Sequence, residues 1–163
     1  MKKNDWSQKL SNDEEQIIIK YILVLHKIIQ DFSHDQNINH NLILSVRNIT
    51  TSIGRRKNLK ISLEAEKILG HCTSISAIEN AQKRVENRNL TIREHKITVA
   101  DLYKELKNSQ KFSEDDAKKW LDKSIIAIIT EKENEKLRLN KWSKNRPDDA
   151  YEQLGIILKD VWL

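Results

Sequence analysis

The spacing of apolar residues near the start of the chain constrains the fold more than any other feature of the sequence. Between residues 11 and 32 large apolar side chains recur every three or four positions, which is the period of an α-helix with a buried face. The residues on this period are Ile17, Ile18, Tyr21, Ile22, Leu25, Ile28, Ile29 and Phe32, and the stripe is widened by Ile19, Leu23 and Val24. We therefore predict a helix that starts at residues 11–13 and is buried on more than one side.

Glycine and proline are scarce, and this extends the helical prediction to most of the chain. Of the 163 residues only 3 are Gly and 1 is Pro, while 33% are charged and 38% are hydrophobic. This balance favours a compact, mostly helical protein over a β-sandwich or a disordered chain. The predicted fold class is therefore mainly α, beginning with an N-terminal helical bundle.

Helical patterns continue well beyond the first helix. A second amphipathic helix is predicted over about residues 41–57, and one or two more over residues 62–87. Ser76 followed by Glu79 fits a capping box, which favours two helices with a break near Gly70. The connector between the second and third helices, "NLKIS", has no predicted structure of its own.

The last third of the chain mixes helical and strand patterns. Two short helices are predicted, one capped by Thr98 and one starting at Ser113. The β-branched run "SIIAIIT" (124–130) then indicates a strand, "EKENEK" indicates a polar turn, and "LRLNKW" is a second candidate strand. A final amphipathic helix is predicted from Pro147, since proline suits a first helical position.

The sequence "KITVADLYKELKNSQKFSEDDAKKWLDKSIIAIITEKENEKLRL" (96–139) resembles a winged-helix domain in the order of these elements. Small winged helices of this kind form the C-terminal domains of replication proteins such as the minichromosome-maintenance helicases. The resemblance implies a β-hairpin wing and a role in DNA replication or its regulation. The predicted units are a helical N-terminal unit (1–75), a winged-helix-like unit (76–143) and a C-terminal helix (144–163) that packs on the core.

Positive charge is concentrated in the middle of the chain. The net charge is +5, and residues 41–100 hold 11 basic and 5 acidic side chains, whereas the segments before and after them are nearly balanced. Because phosphate binding requires locally concentrated positive charge, this segment predicts contact with nucleic acid. The resemblance to replication proteins makes DNA the expected nucleic acid more than RNA. The candidate contact residues are Arg47, Arg55, Arg56, Lys57, Lys60, Lys83, Arg84 and Arg88. The alternative is that these cations are solvated side chains and helix-end charges.

The predicted recognition helix of the winged helix favours a protein partner instead. In many DNA-binding domains of this type the second helix enters the major groove and carries basic or amide side chains. Here residues 114–123 contain more acidic than basic side chains, so that the helix would be repelled by phosphates. We therefore expect protein partners at the winged helix and nucleic acid at the basic middle segment.

Two other functions remain open. The stretch "RNLTIREH" (88–95) is similar to the motif of HEPN-type ribonucleases or toxins, in which an arginine and a histidine act on a phosphodiester; the matching residues are Arg88 and His95. A second alternative is a helical protein-interaction subunit without nucleic-acid affinity, whose sign would be an exposed apolar patch.

Other classes of function receive no support from the sequence. There is no Gly-rich phosphate-binding loop, no histidine and cysteine spacing typical of zinc, and no recognisable catalytic set, so we predict a non-enzymatic protein with no metal or cofactor. The most apolar run, 17–29, is interrupted by Lys20 and Lys27 and is too short to span a membrane. The single cysteine, Cys72, is consistent with a reducing, cytoplasmic location.

Overall fold

A computed structural model describes residues 9–84, 89–142 and 145–161. Within these residues the helices are α1 (Asn12–Phe32), α2 (Gln36–Lys57), α3 (Leu63–Leu69), α4 (Ile75–Lys83), α5 (Val99–Asn108), α6 (Glu114–Asp122), α7 (Glu131–Leu139) and α8 (Ala150–Gln153). The strands are β1 (Leu59–Ser62), β2 (Thr91–His95), β3 (Ile126–Thr130) and β4 (Leu158–Asp160). The predicted mainly α fold is confirmed.

Helices α1 and α2 of the predicted N-terminal unit share one apolar core with α5 and α6, which the sequence analysis assigned to the winged-helix-like unit. Helix α1 begins where the sequence indicates, because Ser11 and Glu14 form a capping box at its N-terminus. The core of this bundle is made by fully buried side chains, among them Ile22, Ile29, Val46, Leu102, Leu106, Trp120 and Leu121. Helix α2 begins earlier than predicted because Asp35 caps it by accepting hydrogen bonds from the backbone of Asn37 and Ile38.

The far side of α1 is not buried, and the prediction of burial on more than one side is wrong. Ile17, Tyr21 and Val24 are 67%, 53% and 57% exposed. They recur at helical spacing on the face opposite the buried residues Ile22 and Ile29. An apolar stripe therefore remains on the surface of the described chain.

The sheet joins segments that are far apart in the sequence. Its strand order is β2-β3-β1-β4, with β1 parallel to β3 and with β2 and β4 antiparallel to their neighbours. The "NLKIS" segment is therefore strand β1 rather than a connector, because its Leu59 and Ile61 side chains are buried in the sheet. Strand β3 is buried on both faces and is covered by α3 and α4 on one side and by α7 and α8 on the other.

The chain breaks between α3 and α4 as predicted. Gly70 ends α3 with φ +80°, a left-handed conformation that glycine adopts without steric cost. The cap of α4 is Ser74, whose side chain accepts a hydrogen bond from the backbone of Ala77, and not the predicted Ser76. The predicted positions for helix starts at Ser62, Thr98 and Ser113 are confirmed.

The predicted β-hairpin wing is wrong, because the segment after β3 is helix α7. Thr130 and Glu133 form a capping box in which each side chain bonds the backbone of the other. The residues that follow are mostly Glu, Lys, Leu and Arg, which are strong helix formers, and Glu and Lys are also depleted in strands. The two helices and the strand of the predicted winged helix are present, but its second strand is not.

The predicted C-terminal helix is also wrong. Helix α8 has a single turn and is followed by Gly155 with φ +68°, and the Ile156 amide then donates to the Tyr151 carbonyl in a Schellman-type ending. The chain then returns as β4, which pairs with β1 through Lys159 and Ile61. Residues 162 and 163, at the end of the predicted helix, lie outside the described residues.

Gly54 permits the close approach of α2 to the sheet. A Cβ atom at this position would lie 2.6 Å from the Ser124 carbonyl oxygen and 2.8 Å from Cγ1 of Ile126. Gly54→Ala is therefore expected to lower the free energy of unfolding by about 1–3 kcal/mol, although alanine is the better helix former. Urea denaturation measures this effect, and Ser52→Ala, at an exposed position of the same helix, is the matched control. A stabilised Gly54→Ala variant would contradict the packing.

Candidate anion-binding pocket

Most of the basic cluster at residues 55–60 is neutralised by carboxylates from other elements. The Arg56 guanidinium is largely buried and binds both carboxylate oxygens of Glu14 on α1, at 2.8 and 3.0 Å. The hydrogen bonds from Arg56 and Ser11 lower the pKa of Glu14 from 4.5 to about 2. Residues 55–60 contain no acidic side chain, and the carboxylate that neutralises Arg56 therefore comes from a distant part of the chain.

The other cations of the cluster are paired in the same way. Arg55 binds Glu79 of α4, and the Lys60 amine lies 3.0 Å from Asp160 of β4. The Lys57 amine lies 2.6 Å from Glu15 and 2.7 Å from Asp122, and these contacts raise its pKa against the opposing effect of burial. A phosphate that approached these residues would compete with existing ion pairs.

Two of the remaining predicted contact residues lie at the end of α4. Lys83 and Arg84 are exposed at the C-terminal end of α4. Gln82, their neighbour, bonds Thr91 and Arg93 of β2, so the end of α4 lies against that strand. Arg88 lies outside the described residues.

Arg47 lies apart from the paired cluster and lines an open pocket at the edge of the sheet. The pocket has a volume of about 640 Å³ and is formed by α2, β2, the start of α5, α7 and the segment that follows α7. Its principal polar lining residues are Arg47, Arg93, His95, Asn134, Arg138 and Arg146. Four arginines from four different segments therefore meet at one cavity.

Arg146 is the buried member of this group, with a side chain only 3% exposed. Its guanidinium donates to Glu94 at 2.9 Å, to the His95 carbonyl at 2.6 Å and to the Tyr151 hydroxyl at 3.3 Å. Its Nε donates to the Trp142 carbonyl at 2.8 Å. Arg146 therefore ties the end of β2 to the segment after α7 and, with its partner Glu94, forms a fixed wall of the pocket.

The other three arginines are less constrained. Arg93 donates to Glu79 at 3.2 Å, but Glu79 also binds Arg55 and so is shared between two cations. Arg47 and Arg138 are exposed, and neither forms an ion pair or a side-chain hydrogen bond with any residue of the described chain. Their guanidinium groups are thus available to a bound anion.

His95 faces α2 and is neutral at pH 7. Its Nε2 lies 3.2 Å from the hydroxyls of Thr50 and Thr51, and the Thr50 hydroxyl already donates to the Val46 carbonyl. The Thr50 oxygen can therefore accept from His95 when Nε2 carries the proton, whereas the Thr51 hydroxyl can donate to or accept from the same nitrogen. Burial, with smaller effects of Arg47 and Arg146, lowers the His95 pKa from 6.5 to about 4.

The outer edge of β2 adds backbone donors to the pocket. The Lys96 amide donates to the Ile125 carbonyl and therefore faces β3, whereas the His95 carbonyl accepts from Arg146 and faces away. Because these directions alternate along a strand, the amide groups of His95 and Arg93 both face away from β3. In the described part of the chain β2 pairs with β3 alone, so these amides, together with the carbonyls of the same two residues, lie at an edge without a strand partner.

The comparisons with known proteins give no family or relative for this chain. No protein-family model, no curated protein and no solved structure matches it. None of the helices in residues 9–84, 89–142 and 145–161 is long and apolar enough to cross a membrane. The same residues contain no group of three or more His, Cys, Asp or Glu side chains that could hold a metal ion.

Proposed function

We propose that this protein binds nucleic acid through its phosphates, without chemistry on the bound strand, and that the contact centres on the arginine pocket. The observation that carries this proposal is the meeting of Arg47 and Arg138, from two helices distant in sequence, at one cavity without carboxylate partners in the described chain. Guanidinium groups are the side chains best suited to phosphate because they bind its oxygens in pairs.

The charge balance of the pocket supports an anionic ligand. Its lining holds four arginines and one carboxylate, Glu94, which is already bound by Arg146. The concave surface concentrates this positive field, and backbone amides at the edge of β2 add further donors. Lys83 and Arg84, at the adjacent end of α4, extend the basic surface along the same edge. The proposed contact surface thus includes Arg47, Lys83 and Arg84, which the sequence analysis named. It does not include the cations of residues 55–60, because carboxylates already pair with them.

A ribonuclease function has weaker support. His95 does line the pocket, but burial lowers its pKa to about 4, so that it is neutral at pH 7 and a poor general acid for a leaving group. Its Nε2 is also bound to the hydroxyls of Thr50 and Thr51. The buried, neutral state of His95 therefore favours binding without catalysis.

A protein partner is a separate part of the proposal. The exposed apolar face of α1, with Ile17, Tyr21 and Val24, is the feature expected of a helical interaction surface. A role in replication and a cytoplasmic location stay predictions, the first because it rested on the winged-helix resemblance alone.

The proposal is tested by fluorescence anisotropy with labelled single-stranded DNA, duplex DNA and RNA across a salt series. The variant Arg47→Ala/Arg138→Ala is expected to weaken binding on the order of 10-fold at low salt and to reduce the slope of log affinity against log salt by about 1 to 2. Lys104→Ala/Lys118→Ala removes the same charge from exposed sites outside the pocket and should change affinity less than about 3-fold.

Two results would count against this function. One is the absence of binding by the wild-type protein at low salt to any of the three nucleic acids. The other is an equal loss of affinity in the pocket variant and in the control variant, since this would show that only total charge matters.

A further inference from the structure

The pocket offers more donors than an internal phosphodiester can use. A phosphodiester carries one negative charge and two free oxygens, whereas a terminal phosphate monoester carries about −1.5 to −2 charges and three acceptor oxygens. The two unpaired guanidinium groups of Arg47 and Arg138 match this charge. Arg93 adds some positive charge as well, because its partner Glu79 is shared with Arg55 and neutralises it only in part. The outward amides of Arg93 and His95 are further donors at the same edge.

The shape of the site also favours a strand end. The cavity of about 640 Å³ lies between α2, β2 and α7, and it falls within the usual size range of small-ligand pockets. A terminal nucleotide can enter a concave pocket of this size. The interior of a duplex cannot, because its phosphates are spread along a convex surface.

We propose that the pocket binds the terminal phosphate monoester of a nucleic-acid strand, and this inference rests on the function proposed above. The monoester oxygens bind the guanidinium groups of Arg47 and Arg138 and the open edge of β2. Arg146 is mainly a structural residue, because four of its five N–H groups already bind Trp142, Glu94, His95 and Tyr151. Its role is to position β2.

An acidic peptide is the competing occupant of an open strand edge, and the structure disfavours it. A peptide that extended the sheet would pair with the outward backbone groups of β2, including the His95 carbonyl. That carbonyl already accepts a hydrogen bond from the buried Arg146 at 2.6 Å. Strand addition would break this contact, whereas a phosphate at the amides of Arg93 and His95 would leave it in place.

The test compares one short single-stranded sequence in three forms, with a 5′-phosphate, with a 3′-phosphate and with hydroxyls at both ends, each carrying the same internal fluorophore. We expect at least one phosphorylated form to bind about 10-fold more tightly than the unphosphorylated form. This preference should disappear in Arg47→Ala/Arg138→Ala and persist in Lys104→Ala/Lys118→Ala. The two phosphorylated forms distinguish a 5′ end from a 3′ end.

The outcomes separate this inference from the function on which it rests. Equal affinities for all three forms would overturn the terminal-phosphate site but leave nucleic-acid binding in place. No binding of any form would overturn both. An acidic or phosphorylated peptide that displaced the phosphorylated oligonucleotide at lower concentration than an unlabelled copy of the same oligonucleotide would overturn the strand-end ligand in favour of a peptide.

Discussion

Replacement of Arg146 by methionine is expected to lower the free energy of unfolding by about 3–5 kcal/mol. The side chain is 3% exposed, and its guanidinium satisfies Glu94 and the backbone carbonyls of Trp142 and His95. Methionine fills a similar volume but leaves the half-buried Glu94 carboxylate without its cation and the carbonyls without their donor. The cost of an unpaired buried charge exceeds the gain from apolar packing.

Urea denaturation of four proteins measures this coupling: the wild type, Arg146→Met, Glu94→Gln and the double variant. Glu94→Gln in the Arg146→Met background should recover about 1–2 kcal/mol, because it removes the charge that the first change leaves unpaired. Lys136→Met, at an exposed position of α7, is the control and should change stability by less than about 0.5 kcal/mol. A loss below 1 kcal/mol for Arg146→Met, or additive losses in the double variant, would contradict the buried pair.

The candidate site shows how far sequence patterns extend. Arg47 was accessible from the sequence because the basic excess of residues 41–100 is visible by counting. Arg138 and Arg146 carried no comparable signal, since their charges lie in a segment with equal numbers of acidic and basic residues. Their contribution depends on the packing of α7 and the following turn against β2, which is a long-range contact. The pairing of residues 55–60 with Glu14, Glu15, Glu79, Asp122 and Asp160 was hidden for the same reason.

The fold divides along similar lines. The N-terminal caps at Ser11, Ser62 and Thr98 and the helical stripe of α1 follow from local chemistry and were predictable. The wing was mispredicted although a local signal was present, since Thr130 followed by Glu133 fits a capping box and indicates a helix start. Strand β1 had no such signal, because a four-residue strand gains its stability from pairing with β3 and β4. The apolar residues on both faces of α1 do not show by themselves whether the second face is covered by another element.

The free energy of unfolding should fall as the pH is lowered, because the His95 side chain in the wall of the pocket is buried and neutral. The imidazole is neutral in the folded protein, with a pKa of about 4, because it is buried and lies near Arg47 and Arg146. In the unfolded chain its pKa is near 6.5. Below pH 6.5 the unfolded state therefore takes up a proton that the folded state refuses until about pH 4. The contribution of His95 to stability is thus fully present above pH 6.5 and is lost as the pH falls towards 4.

The expected loss from this group is about 2 kcal/mol between pH 7.5 and 5, and about 3 kcal/mol across the whole window. It is measured as the difference between wild type and His95→Gln in urea denaturation at several pH values, because glutamine can still donate to Thr50 and Thr51 but does not titrate. Glu14, whose folded pKa is about 2, loses its contribution mainly below pH 4.5 and is common to both proteins. Parallel stability curves for the two proteins between pH 7.5 and 5, or an NMR titration of His95 near 6.5, would show that the histidine is solvated and that the pocket wall is not packed as described.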